Sequence, residues 1–381
     1  MWEAVPRLPI ITSAQNGLWR SRSGIGLRNR AFQTPAASAA GGHIVELHAS
    51  IIIASTIPWA TSPQAPAPLN YVTGAGGAKA AATLPLTWGV IGISVAVMAI
   101  IAMLLALAIW RRPGVVPAAR MSVGPDRGGT NFLWAGVGIS TLALLATIVW
   151  TVEVLAQIGK PPVPPGLTVE ITAHQWWWQV RYLDPDARRI FTTANEIHIP
   201  TGTPVLFKLI GGDVIHSFWV PALAGKTDLI PGQTNELWLE ADKPGTYRGQ
   251  CTEYCGLEHA KMAFVVVADM PRDFSAWRMH QMVPDMAPSG GVLASGAAYF
   301  GSKCGSCHAV RGSDAAGVLG PDLSHFATRQ TIAAGILANT RQNLAAWISD
   351  PQAVKPGNLM QKPELSPEQR GQIVAYLETL Q

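Results

Sequence analysis

The 381 residues contain four cysteines, and they fall into two clusters. Cys251 and Cys255 lie in C-T-E-Y-C-G-L-E-H-A-K-M, residues 251–262, and Cys304 and Cys307 lie in C-G-S-C-H, residues 304–308. Thiolate combined with imidazole is a soft donor set that suits copper. The C-x-x-C-H spacing suits covalent attachment of a haem. Neither cluster has the look of a structural disulfide framework.

In the first cluster, both sulfurs sit in a tight loop ahead of a strand and can point at one place. His259 follows four residues after Cys255, and Met262 three after that. A second imidazole must come from elsewhere, and His216, in D-V-I-H-S-F-W-V-P at a strand end, is the best placed. Two thiolates, two imidazoles and a thioether exceed the needs of one blue-copper ion; they fit two coppers bridged by both sulfurs. A lone C-x3-C could also serve a copper chaperone or a redox pair, and His216, His259 and Met262 argue against those.

In the second cluster, Cys304 and Cys307 would form thioethers to the haem and His308 would be the proximal iron ligand. Met360, in P-G-N-L-M-Q-K-P, is the only methionine after residue 286 and the candidate distal ligand, with His325 as its rival. A thioether raises the potential and suits an electron carrier. A zinc site at C-x-x-C-H would need a fourth ligand that no spare cysteine supplies.

The elements that must position these groups divide the chain into several parts. Apolar residues make up 48% and charged residues 14%, a membrane-leaning balance. Spans are expected at about 86–110 and 130–153, within a hairpin covering 83–160, and Trp88, Trp110, Trp134 and Trp150 lie near their ends. The connecting loop carries Arg111, Arg112, Arg120 and Arg127 against Asp126 alone, which places it in the cytoplasm and the rest of the chain on the outer face. Residues 1–60 read as a signal peptide or a disordered extension, and 61–82 as linker. Net charge is only +4, with no concentrated basic face for nucleic acid.

From 161 to 270, short β-branched and aromatic runs separated by turns predict an antiparallel sandwich or barrel. His174 and His198 fall on such strands and are read as structural. Residues 271–290 read as a Pro-containing linker; Met279, His280, Met282 and Met286 could catch copper there, but a flexible connector fits better. In 291–381, Gly296 and Phe300 lie eight and four residues before Cys304 on one helical face. Ser366-Pro367-Glu368-Gln369 carries the marks of a helix start with a capping box.

The hairpin, the aromatic run at Trp176–Trp178, D-V-I-H-S-F and C-x3-C-x3-H-x2-M together resemble subunit II of cytochrome c oxidase over roughly 83–270. Residues 291–381 resemble a class I cytochrome c. The fold implied is a two-helix transmembrane hairpin, a cupredoxin-like β-barrel and an all-α cytochrome c domain. The resemblance implies that Cys251 and Cys255 bridge the coppers of a dinuclear CuA centre and that His216 and His259 cap them. It makes Met262 a weak ligand and Glu253 a ligand through its carbonyl. It also implies that the Glu253 side chain meets magnesium at the border with subunit I, and that electrons enter at Trp176.

The implied function is electron transfer from haem c to copper and on to subunit I of a respiratory oxidase, where oxygen is reduced. The implied setting is the bacterial inner membrane, with subunits I and III as partners and a cytochrome or a quinol–cytochrome c reductase as donor. A copper-containing nitric oxide reductase would permit the same copper motif, and a membrane copper chaperone is the non-enzymatic alternative. Two features depart from the family pattern. Asn131 stands where a Glu linked to proton uptake is usual, and Gln179, Arg181, Arg188 and Arg189 stand where acidic residues often dock a basic cytochrome.

Overall fold

A computed structural model of the chain describes residue 69 and residues 73–111, 127–285 and 288–381. The expected signal or extension, most of the 61–82 linker, residues 112–126 of the basic loop, and Met286 lie outside the described residues.

Helices α1 (Ala78–Arg111) and α2 (Arg127–Ile158) form the hairpin. At about 1.5 Å per residue each is longer than a hydrocarbon core of about 30 Å. The end of α1 nearest Ala78 therefore stands clear of the apolar span. Pro85, which has no N–H for the helical ladder, marks the approach to that span. Apolar side chains are exposed all round both helices, among them Met98, Leu105, Ile139 and Leu142. A soluble core helix would show one stripe; these surfaces suit lipid or another membrane subunit. Trp150, expected near a span end, lies against α1, where a Cβ on Gly89 would come within 2.5 Å of its ring.

The hairpin is seated on the β domain at its Ala78 and Ile158 ends. Lys79 Nζ donates to the Trp238 carbonyl at 3.2 Å and lies 4.8 Å from the centre of that indole. Trp238 Nε1 donates to Ile158 O at 3.0 Å, and Ala80 N to Leu223 O at 3.2 Å.

Ten strands follow: β1 (Leu167–His174), β2 (Trp177–Leu183), β3 (Phe191–Ala194), β4 (Glu196–Pro200), β5 (Val205–Gly211), β6 (His216–Trp219), β7 (Thr227–Leu229), β8 (Thr234–Leu239), β9 (Gly245–Cys251) and β10 (Ala263–Asp269). They make two five-stranded sheets, ordered β3-β2-β1-β5-β8 and β4-β10-β9-β6-β7. Strict burial alternation along β1 and β5 turns one face of the first sheet inward. Val169, Ile171, Phe207 and Leu209 pack there with Trp178, Phe218 and Phe264. The expectation of a purely antiparallel domain needs correction, because β1 pairs with β5, and β4 with β10, in parallel. The cause is topological: the chain crosses to the second sheet at β4 before returning beside β1.

The stretch expected as linker opens with helix α3 (Pro271–Gln281). Its proline sits at the first helical turn, where the missing N–H costs nothing. Phe274 is buried, and Trp277 stacks on His198 with ring centres 4.1 Å apart. A proline here opens a helix rather than breaking the chain.

The C-terminal domain contains α4 (Gly291–Lys303), the two-residue strands β11 (Thr331–Ile332) and β12 (Leu337–Ala338), and helices α5 (Arg341–Ser349), α6 (Pro351–Val354) and α7 (Pro367–Leu377). Helices α4 and α7 cross at Gly296, where a Cβ would come within 2.1 Å of Gln372 O, and Phe300 meets Tyr376 beside the crossing at 5.6 Å. The capping box is formed: Ser366 Oγ accepts from Gln369 N at 3.1 Å, and Gln369 Oε1 accepts from Ser366 N at 2.9 Å.

Candidate metal and haem centres

The copper-type donors converge at one end of the β-domain core. His216 opens β6, Cys251 closes β9, and the loop 252–262 carries the remainder before β10 begins. Cys251 N donates to Met262 O at 3.0 Å, which closes the base of this loop. The two sulfurs are 3.8 Å apart, well beyond a disulfide bond of about 2.05 Å. His216 Nδ1 is 3.9 Å from Cys251 Sγ, and His259 Nδ1 is 3.5 Å from Cys255 Sγ. Met262 Sδ is 3.8 Å from Cys255 Sγ, and the Glu253 carbonyl oxygen is 3.3 Å from Cys251 Sγ. His216, Cys251, Cys255 and Met262 are all buried. The six donors thus come together, and their soft character and dry setting fit copper.

The electrostatics favour thiolate. A hydrogen bond from the Cys255 thiol, assisted by His216, holds Cys251 far below the ordinary thiol range, to about 4. Its neighbour is pushed the other way, first by holding that proton and then by burial. A bound cation removes the conflict, because both sulfurs can then ionise. Burial alone would lower the His216 pKa, but hydrogen bonds to Asp213 and Cys251 outweigh it and raise it.

Asp213 is the residue the sequence reading missed. His216 Nε2 meets Asp213 Oδ1 at 2.8 Å, which leaves Nδ1 turned to the sulfur. Asp213 also accepts from Gln175 N at 2.6 Å. Its spacing three residues before His216, in the quoted D-V-I-H, was the available signal.

Trp176 reaches the same loop. Its Nε1 donates to the Cys255 carbonyl at 3.0 Å, and Gln175 Nε2 donates to the same oxygen at 2.6 Å. Of the strand histidines, His174 stacks on Trp177 at 4.6 Å, and His198 sits between Asp269 and Glu196. Among the described residues, the Glu253 carboxylate has no hydrogen-bond or ion-pair partner. Among the described residues, no further group of three His, Cys, Asp or Glu converges around it.

In the C-terminal domain Cys304 and Cys307 are free thiols at the end of α4. His308 Nδ1 donates to Pro321 O at 2.8 Å, which leaves Nε2 as its only available ligand atom. Gly320 is required beside it, since a Cβ there would come within 2.7 Å of the imidazole. Burial lowers the His308 pKa, which keeps the ring neutral, as an iron ligand must be. The Met360 amide donates to Asn358 Oδ1 at 2.8 Å, and among the described residues its sulfur has no hydrogen-bond partner. His325, the rival ligand, has both ring nitrogens on main-chain oxygens, Gln381 O at 2.6 Å and Val283 O at 3.0 Å. Val318, Leu319 and Leu359 expose large apolar side chains in the loops bearing Gly320 and Met360. Free paired thiols, a neutral imidazole with one open nitrogen and apolar loops fit a covalent haem.

Comparison with known proteins agrees with both halves. Residues 181–269 match the family model for the periplasmic domain of cytochrome c oxidase subunit II, and residues 293–381 match that for cytochrome c. Cytochrome c oxidase subunit 2 of Alkalihalophilus pseudofirmus is 39% identical over 252 residues, covering 65% of this chain and 72% of that protein. The Bacillus subtilis subunit 2 is 31% identical over 274 residues, covering 66% and 75%. The crystal structure of the periplasmic domain of the Bradyrhizobium japonicum subunit II is 32% identical, covering 31% of this chain and 95% of that one, with a TM-score of 0.30. With its membrane hairpin, its cupredoxin-like sheets and its haem-type C-terminal domain, this chain belongs to the cytochrome c oxidase subunit II family, in a form that carries its own cytochrome c domain.

Proposed function

We propose that this chain is the electron-input subunit of a respiratory haem–copper oxidase, moving electrons from a haem c to a dinuclear CuA centre and then to subunit I. The observation that carries the proposal is the convergence of six soft or carbonyl donors within 3.3–3.9 Å of one or other cysteine sulfur. Cys251 and Cys255 would bridge the coppers, His216 and His259 would cap them, and Met262 and the Glu253 carbonyl would complete the set. Cys304, Cys307 and His308 would hold the haem, with Met360 as sixth ligand. When bound, the two groups supply reversible one-electron chemistry.

The chain's own residues hold the ligands still and dry. Asp213 fixes the His216 ring, the β6 and β9 backbones fix the spacing, and burial excludes water. That burial also opposes a chaperone role, in which copper must leave readily. Trp176, hydrogen-bonded to the copper loop, is the proposed point of electron input to that domain. Val214, Ile215 and Tyr254 flank the ligands with exposed apolar side chains, a surface suited to subunit I. The free Glu253 carboxylate suits a magnesium ion at that border. Subunit III and an external cytochrome or quinol–cytochrome c reductase complete the assembly we infer, in the bacterial inner membrane.

The test is metal analysis of the purified complex, with near-infrared and electron paramagnetic resonance spectra. Copper and covalent haem in this chain should stand at about two to one. Cys251→Ser should abolish the mixed-valence copper signal and leave the haem spectrum intact. A mononuclear copper spectrum in the wild-type complex would overturn the assignment.

A further inference from the structure

The turn that carries Met360 is also the turn that touches Trp176. Lys355, just after α6, is almost fully buried, with 3% exposure. Its Nζ donates to the main-chain oxygen of Trp176 at 2.6 Å, across 179 residues of sequence. Its other contact is Ala333 O at 3.5 Å. Among the described residues no carboxylate lies within ion-pair distance of it, and desolvation, only partly offset by the charge of Glu258, holds its pKa down at about 8, so its position carries a cost. Two residues on, a Cβ on Gly357 would stand 3.3 Å from Leu257 Cδ2 and 3.9 Å from Trp176 Cη2. From the other side, Lys261 Nζ donates to Val354 O at 2.7 Å; it also lies 3.0 Å from Glu258 Oε2, off the line of a hydrogen bond. Trp176, which also lies against the Gly256 loop, is 8% exposed.

The same turn is internally rigid. Gln352 Nε2 donates to Asn358 O at 2.9 Å and to Met360 O at 3.0 Å, and Gln352 Oε1 accepts from Gly357 N at 2.8 Å. Asn358 Oδ1 in turn accepts from Met360 N at 2.8 Å. Lys355 and Met360 are therefore fixed to one hydrogen-bonded frame. Further polar ties, among them Gln330 N to Glu196 Oε2 at 2.9 Å and Ala263 N to Ala334 O at 3.1 Å, hold the two domains together elsewhere.

We propose that Lys355 is a positioning residue for electron transfer within the chain, clamping the Met360 turn onto the Trp176 main chain and closing the Trp176 face to soluble donors. The proposal rests on the haem and copper reading above for its purpose, but the clamp itself is a property of the polypeptide. It gives the missing acidic docking patch a cause: the surface that a soluble cytochrome would use is already taken by a tethered one, at high effective concentration.

Oxidative footprinting of the full chain, read by mass spectrometry at Trp176 with Trp177 as internal reference, tests the clamp directly. In the wild type Trp176 should be protected. In Lys355→Met its oxidation should rise relative to Trp177, while Lys355→Arg should stay closer to wild type. A charge-assisted hydrogen bond of this kind shifts an equilibrium by roughly ten- to hundredfold. In the intact oxidase, haem-to-copper transfer after flash photoreduction should slow in Lys355→Met, with the haem and copper spectra unchanged. The clamp is overturned if Trp176 reacts in the wild type as it does in Lys355→Met, or if transfer stays fast in a variant whose Trp176 has become reactive. The footprint is readable whether or not metals are bound, so it separates failure of the clamp from failure of the metal assignments.

Discussion

A single oxygen atom orients one imidazole of the proposed copper site. Asp213 holds His216 Nε2 at 2.8 Å and so turns Nδ1 towards Cys251. Partners behind a metal-binding imidazole typically matter by about ten- to a hundredfold in metal affinity. Asp213→Asn keeps an acceptor but removes the charge, so copper affinity should fall by roughly ten- to a hundredfold with the ligand spectrum retained. Chelator competition on the purified complex would measure this, and a curve superimposing on wild type would sink the idea. At the haem, Met360→Ala removes the thioether and should move the potential downward, leaving the copper signals untouched; redox titration would show it. The sequence flags these donors because their chemistry depends on type and spacing, and the structure brings the copper-type set together. Asp213 was half legible, lying within the segment that flagged His216. Lys355 was not legible at all, since its partner is a main-chain oxygen 179 residues away and any residue type would supply one.

Elements show where local signals suffice and where they fail. The α7 start was readable in full, because a capping box is a sequence pattern whose geometry is fixed within one turn. That Gly296 and Phe300 share one face of α4 was readable from their spacing, whereas the α4–α7 crossing that uses them emerges from the fold. Gly296→Ala places a methyl where Gln372 O already stands, and overpacking of this sort costs about 1–3 kcal/mol. That loss should appear as a lower melting temperature for the haem domain, followed at the haem absorption, with the copper domain's transition unmoved. Equal shifts in both transitions would mean that the two domains unfold as one unit. The β order was less legible. Alternation reveals which face of β1 or β5 is buried, but it is blind to strand direction, and the parallel β1–β5 and β4–β10 pairs come from long-range crossovers. Helix α3 was hidden because proline signals both a break and a beginning.

For the whole molecule, the decisive fact is that the Ala78 end of α1 and the Ile158 end of α2 both rest on the β domain, through Ala80 N to Leu223 O and Trp238 Nε1 to Ile158 O. The Arg111 and Arg127 ends of the two helices must then lie at the opposite side of the bilayer. Those ends join a sequence with Arg111, Arg112, Arg120 and Arg127 against Asp126, and clustered arginines are retained on the cytoplasmic side. The contacts put the β domain and the arginines on opposite sides, and the charge rule makes the arginine side the cytoplasmic one, so the β and C-terminal domains lie outside. A specific protease site inserted after Gly114 should be cut in inverted vesicles and resist cleavage in sealed spheroplasts. Protease added to the same spheroplasts should instead degrade the haem domain, detected by loss of covalent haem from the full-length band. The reverse pattern would place the metal donors in the cytoplasm, where thiols are kept reduced and the surface intended for an external donor could not be reached.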